Sequence, residues 1–233
     1  DRSPSRGLGD VYKRQAYRPT EKTKAHRIAQ HDSMMKAATA IVADAGFQGL
    51  TISALAKSAD IATGTVYKYF DSKAQLCAEV FKRATEKEVE HVRAAALDDG
   101  QRPCRQRLIQ AIQVFSERAL RGDRLAYALI AEPVDPTVEA ERLIYRQAYA
   151  SIYADLVAEG VLKKEFPEQN VEITATALVG VISETLIAPL GRRAGVEETE
   201  ASAKPPQHSI ENTQTLLNDI QQFCLRAVTG MPC

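Results

Sequence analysis

The sequence predicts an all-α protein of about nine helices, and three observations carry that prediction. Ala, Leu, Glu, Arg and Gln, which favour helices, are abundant, while only 6% of the residues are aromatic and Trp is absent. Apolar residues recur at steps of three and four, the spacing of one helix face. Residues that begin or end helices separate these runs. With 233 residues, of which 45% are hydrophobic, the chain can bury a substantial core.

The first three helices are predicted from apolar spacing and capping residues. Residues 26–45 carry the helical repeat, and Gly46 is expected to end that helix. Thr51 is suited to cap a short second helix. A turn at residues 60–62 leads to a third short helix, for which Thr63 is the expected cap.

The later helices follow from similar signals. Ser72 and Gln75 form a Ser-x-x-Gln capping box at the start of a long fourth helix that ends near Leu97. Breaks are expected at residues 121–123, at Pro133, after Gly160 and across a polar loop at residues 192–208. Asp135, Asn170 and Ser209 stand where the last three of the nine helices begin.

The most apolar stretch, residues 173–190, approaches the length of a membrane span. It nevertheless contains Glu184 and Pro189, so a buried packing helix is the preferred interpretation. We expect no membrane association and identify no signal peptide. Residues 1–15 fit no helix or strand pattern, and residues 1–17 are interpreted as a leader that is partly non-native or disordered.

Charge and cysteine content limit the classes of function. The formal net charge is zero, yet residues 1–73 hold 12 Lys and Arg against seven Asp and Glu. A basic front end suits a polyanionic partner, although such a surplus is often only a solvated face. The cysteines lack a C-x-x-C pair and the histidines complete no ligand spacing, so we expect a reduced cytoplasmic protein with no metal and no cofactor.

Residues 51–75 have the outline of a helix-turn-helix: a short helix, a brief turn, a second short helix and a strongly capped long one. In the second helix Val66 and Phe70 form one apolar edge, while hydroxyl groups and a lysine occupy the others. These polar groups are the ones that bond phosphate oxygens and base edges, and Gly64 permits close approach of the backbone. The pattern favours DNA binding over an ordinary buried helical hairpin.

The motif TIS-x-LA…ATGTVYKYFDSK-x-xL, within about residues 28–80, closely resembles the DNA-binding segment of the tetracycline-repressor (TetR) family. Where that family usually has Gly in the turn this chain has Asp60, a residue that tolerates left-handed backbone. The resemblance implies contacts of several kinds with DNA. Thr51, Thr65 and Lys73 would contact phosphates, Thr63, Gly64 and Lys68 would face the groove, and Tyr67 and Tyr69 would anchor the backbone.

A small-molecule pocket is expected in the C-terminal domain. One helix face there mixes rings, hydroxyls and guanidinium groups, and its residues are Arg142, Tyr145, Arg146, Tyr149 and Tyr153. The ligand-binding candidates are Arg142, Tyr145 and Tyr149 from this face, together with Phe115, Tyr127, Glu132 and Glu184. The alternative, left open, is that Glu132 and Arg142 form a structural ion pair while the tyrosines fill space.

The resemblance also implies that the last two helices pair with a second subunit. Residues 210–227 repeat apolar positions at steps of three and four, as in a coiled coil or a helical bundle, and the preceding helix is rich in small residues. The dimer-interface candidates are Leu178, Ile182, Leu186, Leu217, Ile220 and Cys224.

The sequence thus predicts a homodimeric repressor that binds a near-palindromic operator in double-stranded DNA and is released by a largely apolar effector. The alternatives are a helical small-molecule receptor that does not bind DNA and a small helical enzyme, for which no catalytic residue set stands at usable spacing. The expected domains are a leader (1–17), a helix-turn-helix domain (18–71), a connecting helix (72–97) and a ligand-binding and dimerisation domain (98–233).

Overall fold

A computed structural model of the chain describes residues 21–97, 101–196 and 213–230. Within these ranges all regular secondary structure is helical, which confirms the predicted fold class. The eight helices are α1 (Glu21–Gly49), α2 (Ile52–Ser58), α3 (Thr63–Val66), α4 (Lys73–Ala96), α5 (Cys104–Ile130), α6 (Pro136–Leu162), α7 (Val171–Arg193) and α8 (Thr213–Thr229). The predicted leader, the loop at 197–208 and the expected cap Ser209 lie outside the described residues.

Helices α1–α3 and the first half of α4 pack around one hydrophobic core. We call this group of helices the head. Met34 and Val42 of α1 and Val66 of α3 are buried in it, together with Phe70 and Phe81. The apolar side of each short helix faces this centre, because none of these helices buries enough surface to be stable alone.

The second core lies between α4, α5, α6, α7 and α8. Helix α5 is central, since it packs against the other four. Helix α4 belongs to both cores: Val80 lies in the head, whereas Val89 and Val92 lie in the C-terminal core. A rigid element therefore runs from the head into the C-terminal domain.

Two predicted helix ends occur as backbone breaks inside longer helical spans. Gly46 has φ 69° and ψ −177° within α1, and Asp123 has φ 42° and ψ −112° within α5. The helical pattern resumes immediately after Asp123, so the two helices predicted on either side of residues 121–123 form one kinked helix. This kink accounts for eight helices in the described residues where the sequence suggests nine.

The predicted end of α6 at Gly160 is wrong. The helix continues to Leu162, and Lys164 takes the positive φ, 60°, that ends it. The Gly160 carbonyl accepts the N–H groups of Glu165 and Phe166 at 2.8 and 3.1 Å. A Cβ at Gly160 would overlap the Phe166 ring, so glycine is needed here for close packing.

We therefore expect Gly160→Ala to lower the free energy of unfolding by about 1–3 kcal/mol, the usual cost of overpacking a core. Alanine gains only ~1 kcal/mol over glycine in a helix interior, so the steric cost decides the sign. Urea denaturation followed by circular dichroism measures this change. In a Phe166→Leu background the same substitution should cost less, and equal costs in both backgrounds would contradict the proposed contact.

Helix α7 is long and apolar enough to cross a membrane by length and composition alone. In the fold, however, it packs against α5, α6 and α8. Leu178, Leu186 and Leu190 are buried in the C-terminal core, which is how a packing helix of a globular domain is built.

Candidate nucleic-acid interface and ligand cavity

Helices α2 and α3 are joined by a tight turn that matches the predicted helix-turn-helix. The Thr51 hydroxyl accepts the Ala54 N–H at 3.0 Å and so caps α2. Asp60 has φ 51°, which confirms that this residue takes the left-handed position. The Ile61 N–H donates to the Ala56 carbonyl at 3.0 Å and closes the turn.

Helix α3 is shorter than predicted and is capped differently. It spans Thr63–Val66, and its N-cap is Ala62, which offers no side-chain hydrogen bond, so Thr63 is not the cap. The chain continues as a turn in which the N–H groups of Tyr69 and Phe70 donate to the Val66 carbonyl at 2.9 and 3.0 Å. The segment still presents one compact, helix-like surface.

The outer side of this segment is polar and exposed. Val66 and Phe70 are fully buried, whereas Tyr67 is 55% exposed. A Cβ at Gly64 would meet nothing within 4 Å, so the fold itself does not require glycine there. Further exposed residues of this surface, which we call the α3 face, are Thr63, Gly64, Lys68 and Lys73.

Two of the residues predicted to contact DNA are less exposed than the others. Thr65 and Tyr69 are half-buried. The Tyr69 hydroxyl donates to Gln30 Oε1 of α1 at 2.8 Å, and the Arg27 guanidinium lies 5.7 Å from the centre of the Tyr69 ring. Tyr69 thus connects the α3 segment to α1 inside the head.

Polar contacts fix α4 and α1 relative to each other. The Ser72 hydroxyl accepts the Gln75 N–H at 3.1 Å, which confirms the predicted cap, while Gln75 Oε1 accepts the Asp71 N–H at 2.7 Å.

Arg83 of α4 donates to Asp32 of α1 at 2.7 Å. This hydrogen bond is the main reason that the pKa of Asp32 lies below its ordinary value.

A cavity of about 570 Å³ lies between α1, α4, α5, α6 and α7. Of the predicted ligand residues, the structure brings four to its wall: Phe115, Arg142, Tyr145 and Tyr149. The Phe115 and Tyr149 rings meet edge to face, with centroids 5.2 Å apart. Burial raises the pKa of the Tyr149 hydroxyl, which therefore remains a neutral hydrogen-bonding group.

The other three predicted ligand residues lie elsewhere. Tyr127 is not on the cavity wall and packs beside Gly191. Glu184 is exposed, 4.0 Å from Arg146. The Glu132 carboxylate accepts the N–H groups of Phe47 and Gln48, so it neither lines the cavity nor forms the anticipated ion pair with Arg142.

Sequence reasoning missed the contribution of the head to this cavity. Lys36, Thr39, Ala40 and Ala43 of α1 form part of the wall, as do residues along α4 from Phe81 to Val92. Thr85 and Tyr153, also on the wall, are buried, and their hydroxyls have no hydrogen-bond partner among the described residues. Nothing in the local pattern of α1 indicates which helices pack against it.

The six residues predicted to form the dimer interface are all buried within one chain, each at most 4% exposed. They face the chain's own C-terminal core, so a second subunit cannot reach them without rearrangement. A three-and-four repeat marks a buried helix face but does not specify which helix covers it. The outward sides of α7 and α8 carry other apolar residues, notably Ile173 at 68% exposure and Phe223 at 54%.

In the described ranges no group of three or more His, Cys, Asp and Glu side chains is arranged to hold a metal ion. The polar groups that the fold brings together at the α3 face, hydroxyls and ammonium groups, are of the kinds that can hydrogen-bond phosphate oxygens. The cavity instead combines apolar walls with a few hydrogen-bonding groups, the usual composition of a small-molecule site.

Comparison with known proteins gives a match to a family profile over part of the chain. Residues 34–80 match the sequence profile described as bacterial regulatory proteins, tetR family. No curated protein matches the chain in sequence.

Several solved structures share the fold over most of the chain. The fatty acid degradation regulator FadR from Bacillus halodurans is 16% identical, with a TM-score of 0.65 over 84% of this chain and 97% of that one. FadR from Bacillus subtilis, solved in complex with stearoyl-CoA, is 18% identical, with a TM-score of 0.67 over 85% and 99%. Reduced NemR from E. coli is 15% identical, with a TM-score of 0.62 over 82% and 95%.

The matched segment contains the helix-turn-helix and its polar α3 face. Over residues 34–80 the chain is therefore similar to the tetR family of bacterial regulatory proteins, and over most of its length it shares the fold of the FadR and NemR structures.

Proposed function

We propose that this protein is a DNA-binding transcriptional regulator: a cytoplasmic, homodimeric repressor that leaves a near-palindromic operator when a largely apolar effector with an anionic end enters its cavity. The observation that carries the proposal is that α1 and α4 contribute both to the head and to the cavity wall. A molecule in the cavity therefore touches the elements that position the DNA-binding surface.

The α3 face would enter the major groove. Tyr67 and Lys68 are exposed and can reach phosphates or base edges, and Gly64 lets the backbone come close. Thr63 and Thr65 would add hydroxyl contacts. Thr51 and Lys73 stand at the N-termini of α2 and α4, where backbone N–H groups also favour a phosphate.

A dimer would present two such faces to successive major grooves, about 34–36 Å apart. The exposed sides of α7 and α8 supply apolar surface for pairing around a two-fold axis, including Ile173 and Phe223. This version of the interface differs from the buried seam residues that the sequence suggested.

The character of the effector follows from the cavity. Its volume of about 570 Å³ lies within the range of small-molecule sites, and most of the wall is apolar. Six cationic side chains reach the wall against one carboxylate, Glu88, which is already bonded to Arg118 at 2.5 and 2.9 Å. The cations are Lys36, Arg83, Lys87, Arg118, Arg142 and Arg146. An anionic end therefore fits better than a cationic one.

Two hydroxyl groups on the cavity wall can bond the polar part of the effector. Thr85 and Tyr153 would gain hydrogen bonds from an acceptor inside the cavity, because an unpaired buried hydroxyl is costly. Stearoyl-CoA, the molecule bound by the Bacillus subtilis structure, combines a long apolar chain with anionic phosphates. A long-chain acyl compound is thus the effector class to test first.

The experiment has two stages. Operator fragments are selected from a random DNA pool with the purified full chain, and affinity is then measured with added stearoyl-CoA, stearate or stearylamine. We expect the two anionic compounds to weaken operator binding by roughly 5- to 150-fold, the usual range of coupling between two sites, and the amine to have no such effect. Failure to select any DNA sequence would instead favour a receptor without DNA binding, and release by the amine alone would contradict the charge argument.

A further inference from the structure

The junction between α1 and α2 is held by a carboxylate from the C-terminal domain. Glu132, 7% exposed in the connection between α5 and α6, accepts the Phe47 N–H at 3.0 Å and the Gln48 N–H at 3.3 Å. A Cβ at Gly46 would lie 2.5 Å from Glu132 Oε2, and φ there is +69°. Glycine at this position therefore lets the head and the carboxylate approach each other.

The connection that carries Glu132 is in turn held by Arg142 of α6. The Arg142 Nε donates to the Leu129 carbonyl at 3.0 Å. Its Nη2 donates to the carbonyls of Ala128 and Glu132 at 3.2 and 2.8 Å, and its Nη1 bonds Glu139. One guanidinium thus fixes the C-terminal end of α5 and the backbone of Glu132.

Arg142 is also part of the cavity wall. Its guanidinium carbon lies 5.9 Å from the centre of the Phe81 ring, and that ring stacks on Phe47 with centroids 6.3 Å apart. Most of its N–H groups are bonded within the protein, so an anion entering the cavity would compete with Glu139 and the carbonyls for this guanidinium. A movement of the Arg142 side chain can therefore shift Phe47 in two ways: through the Phe81 ring that lies between them, and through Glu132, whose carboxylate bonds the Phe47 N–H.

We propose that Arg142 and Glu132 are positioning residues that form a latch, through which the cavity wall sets the position of the head. This inference rests on the proposed function for its biological meaning, since a latch matters to a regulator whose head must keep its place on DNA. Neither residue contacts DNA in this scheme. Both act through the backbone of Phe47 and Gln48.

Amide hydrogen exchange of the full chain tests the latch without DNA or ligand. We expect Glu132→Gln and Arg142→Lys each to speed exchange in the peptide covering residues 44–50 by about tenfold or more, because charge-assisted hydrogen bonds to this junction are weakened. Peptides over α2 should keep their wild-type rates, which shows that the head remains folded.

The matched control is Arg193→Lys. Arg193 donates to the Leu120 carbonyl at 2.7 Å and to the Thr213 hydroxyl at 2.8 Å, so it connects α7 with α5 and α8 and does not contact the head. Its replacement should leave residues 44–50 unchanged. The latch is overturned if Arg142→Lys also leaves them unchanged, or if Arg193→Lys speeds them equally.

The ratio of whole-operator affinity to half-site affinity gives a second readout. This ratio would not change if Glu132 only stabilised the fold. We expect Glu132→Gln to weaken binding to the whole operator by about tenfold, because heads that are not held in place lose the benefit of preorganisation, while half-site affinity stays as in wild type. Equal losses on both DNAs would contradict a positioning role. If wild-type protein binds no DNA, the proposed function fails, but the hydrogen-exchange result still decides whether the latch exists.

Discussion

Replacing Tyr67 and Lys68 together by alanine should weaken operator binding by roughly 100- to 1000-fold, since two contacts worth about 1 kcal/mol or more each are lost in both half-sites. Both side chains are exposed on the α3 face, and the buried partners of this segment, Val66 and Phe70, are untouched. The variant should therefore unfold at the wild-type temperature. Affinity loss without loss of stability is the expected combination.

Fluorescence anisotropy with a labelled operator at several salt concentrations measures this effect. Loss of the two Lys68 ammonium groups of a dimer should make the slope of log affinity against log salt shallower by about 1.8, provided that each contacts a phosphate. Lys82→Ala, an exposed lysine on α4, is the control and should change affinity little. A double variant that binds within threefold of wild type would remove the α3 face from the DNA interface.

Removing Arg107 should cost about 2–4 kcal/mol of unfolding free energy, because the buried Ala96 carbonyl loses its donor and the ion pair with the partly exposed Glu159 is broken. Arg107 is 1% exposed and bonds the Ala96 carbonyl at 3.1 Å and the Glu159 carboxylate at 2.5 Å. It also donates to the Arg102 carbonyl and to Cys104 Sγ, each at 3.2 Å. The end of α4, the start of α5 and the end of α6 therefore meet at this one side chain.

Urea denaturation of Arg107→Ala gives the change in free energy. Arg121→Ala is the matched control, because Arg121 is an exposed arginine on α5 whose contacts are with Glu117 of its own helix, and it should cost less than about 1 kcal/mol. A loss below about 1 kcal/mol for Arg107→Ala as well would show that the three helices are held together by apolar packing alone.

The effect of pH supplies an independent check on the same site. Hydrogen bonds from Arg107 and then Lys163 lower the pKa of Glu159 from its ordinary value of 4.5. The stabilisation from this carboxylate is therefore complete above pH ~4.5 and declines as the pH falls through the lowered pKa. The difference in stability between wild type and Arg107→Ala should narrow in that acidic range.

Short-range signals were the most dependable guide to this fold. Thr51, Ser72 and Asp135 were each predicted to cap a helix, and each accepts a backbone N–H within three residues. Such contacts depend only on the local chain, so the sequence contains everything needed to predict them. Gly160 failed as a helix end because its role is set by Phe166, whose approach depends on tertiary packing.

The two sites differ in how far they could be predicted. The α3 face lies in one continuous segment, where the alternation of Val66 and Phe70 with polar residues already indicates an outward side. The cavity is assembled from five helices, and no periodicity in α1 reveals that Lys36 or Ala43 reaches its wall. Arg107 was overlooked for a related reason, because an arginine in an amphipathic helix is ordinarily solvated.

Head exchange between relatives is a natural way to build sensors with a new operator and an unchanged response. In this chain the boundary for such an exchange, at about residue 71, would separate residues that line the same ligand chamber, because α1 supplies one side of that chamber. A hybrid carrying a foreign α1 would acquire a different chamber along with its new operator. Preserving the original response requires restoring, in the foreign first helix, the inward-facing side chains of this chain's own α1, so recognition of DNA and of the small molecule are inherited together.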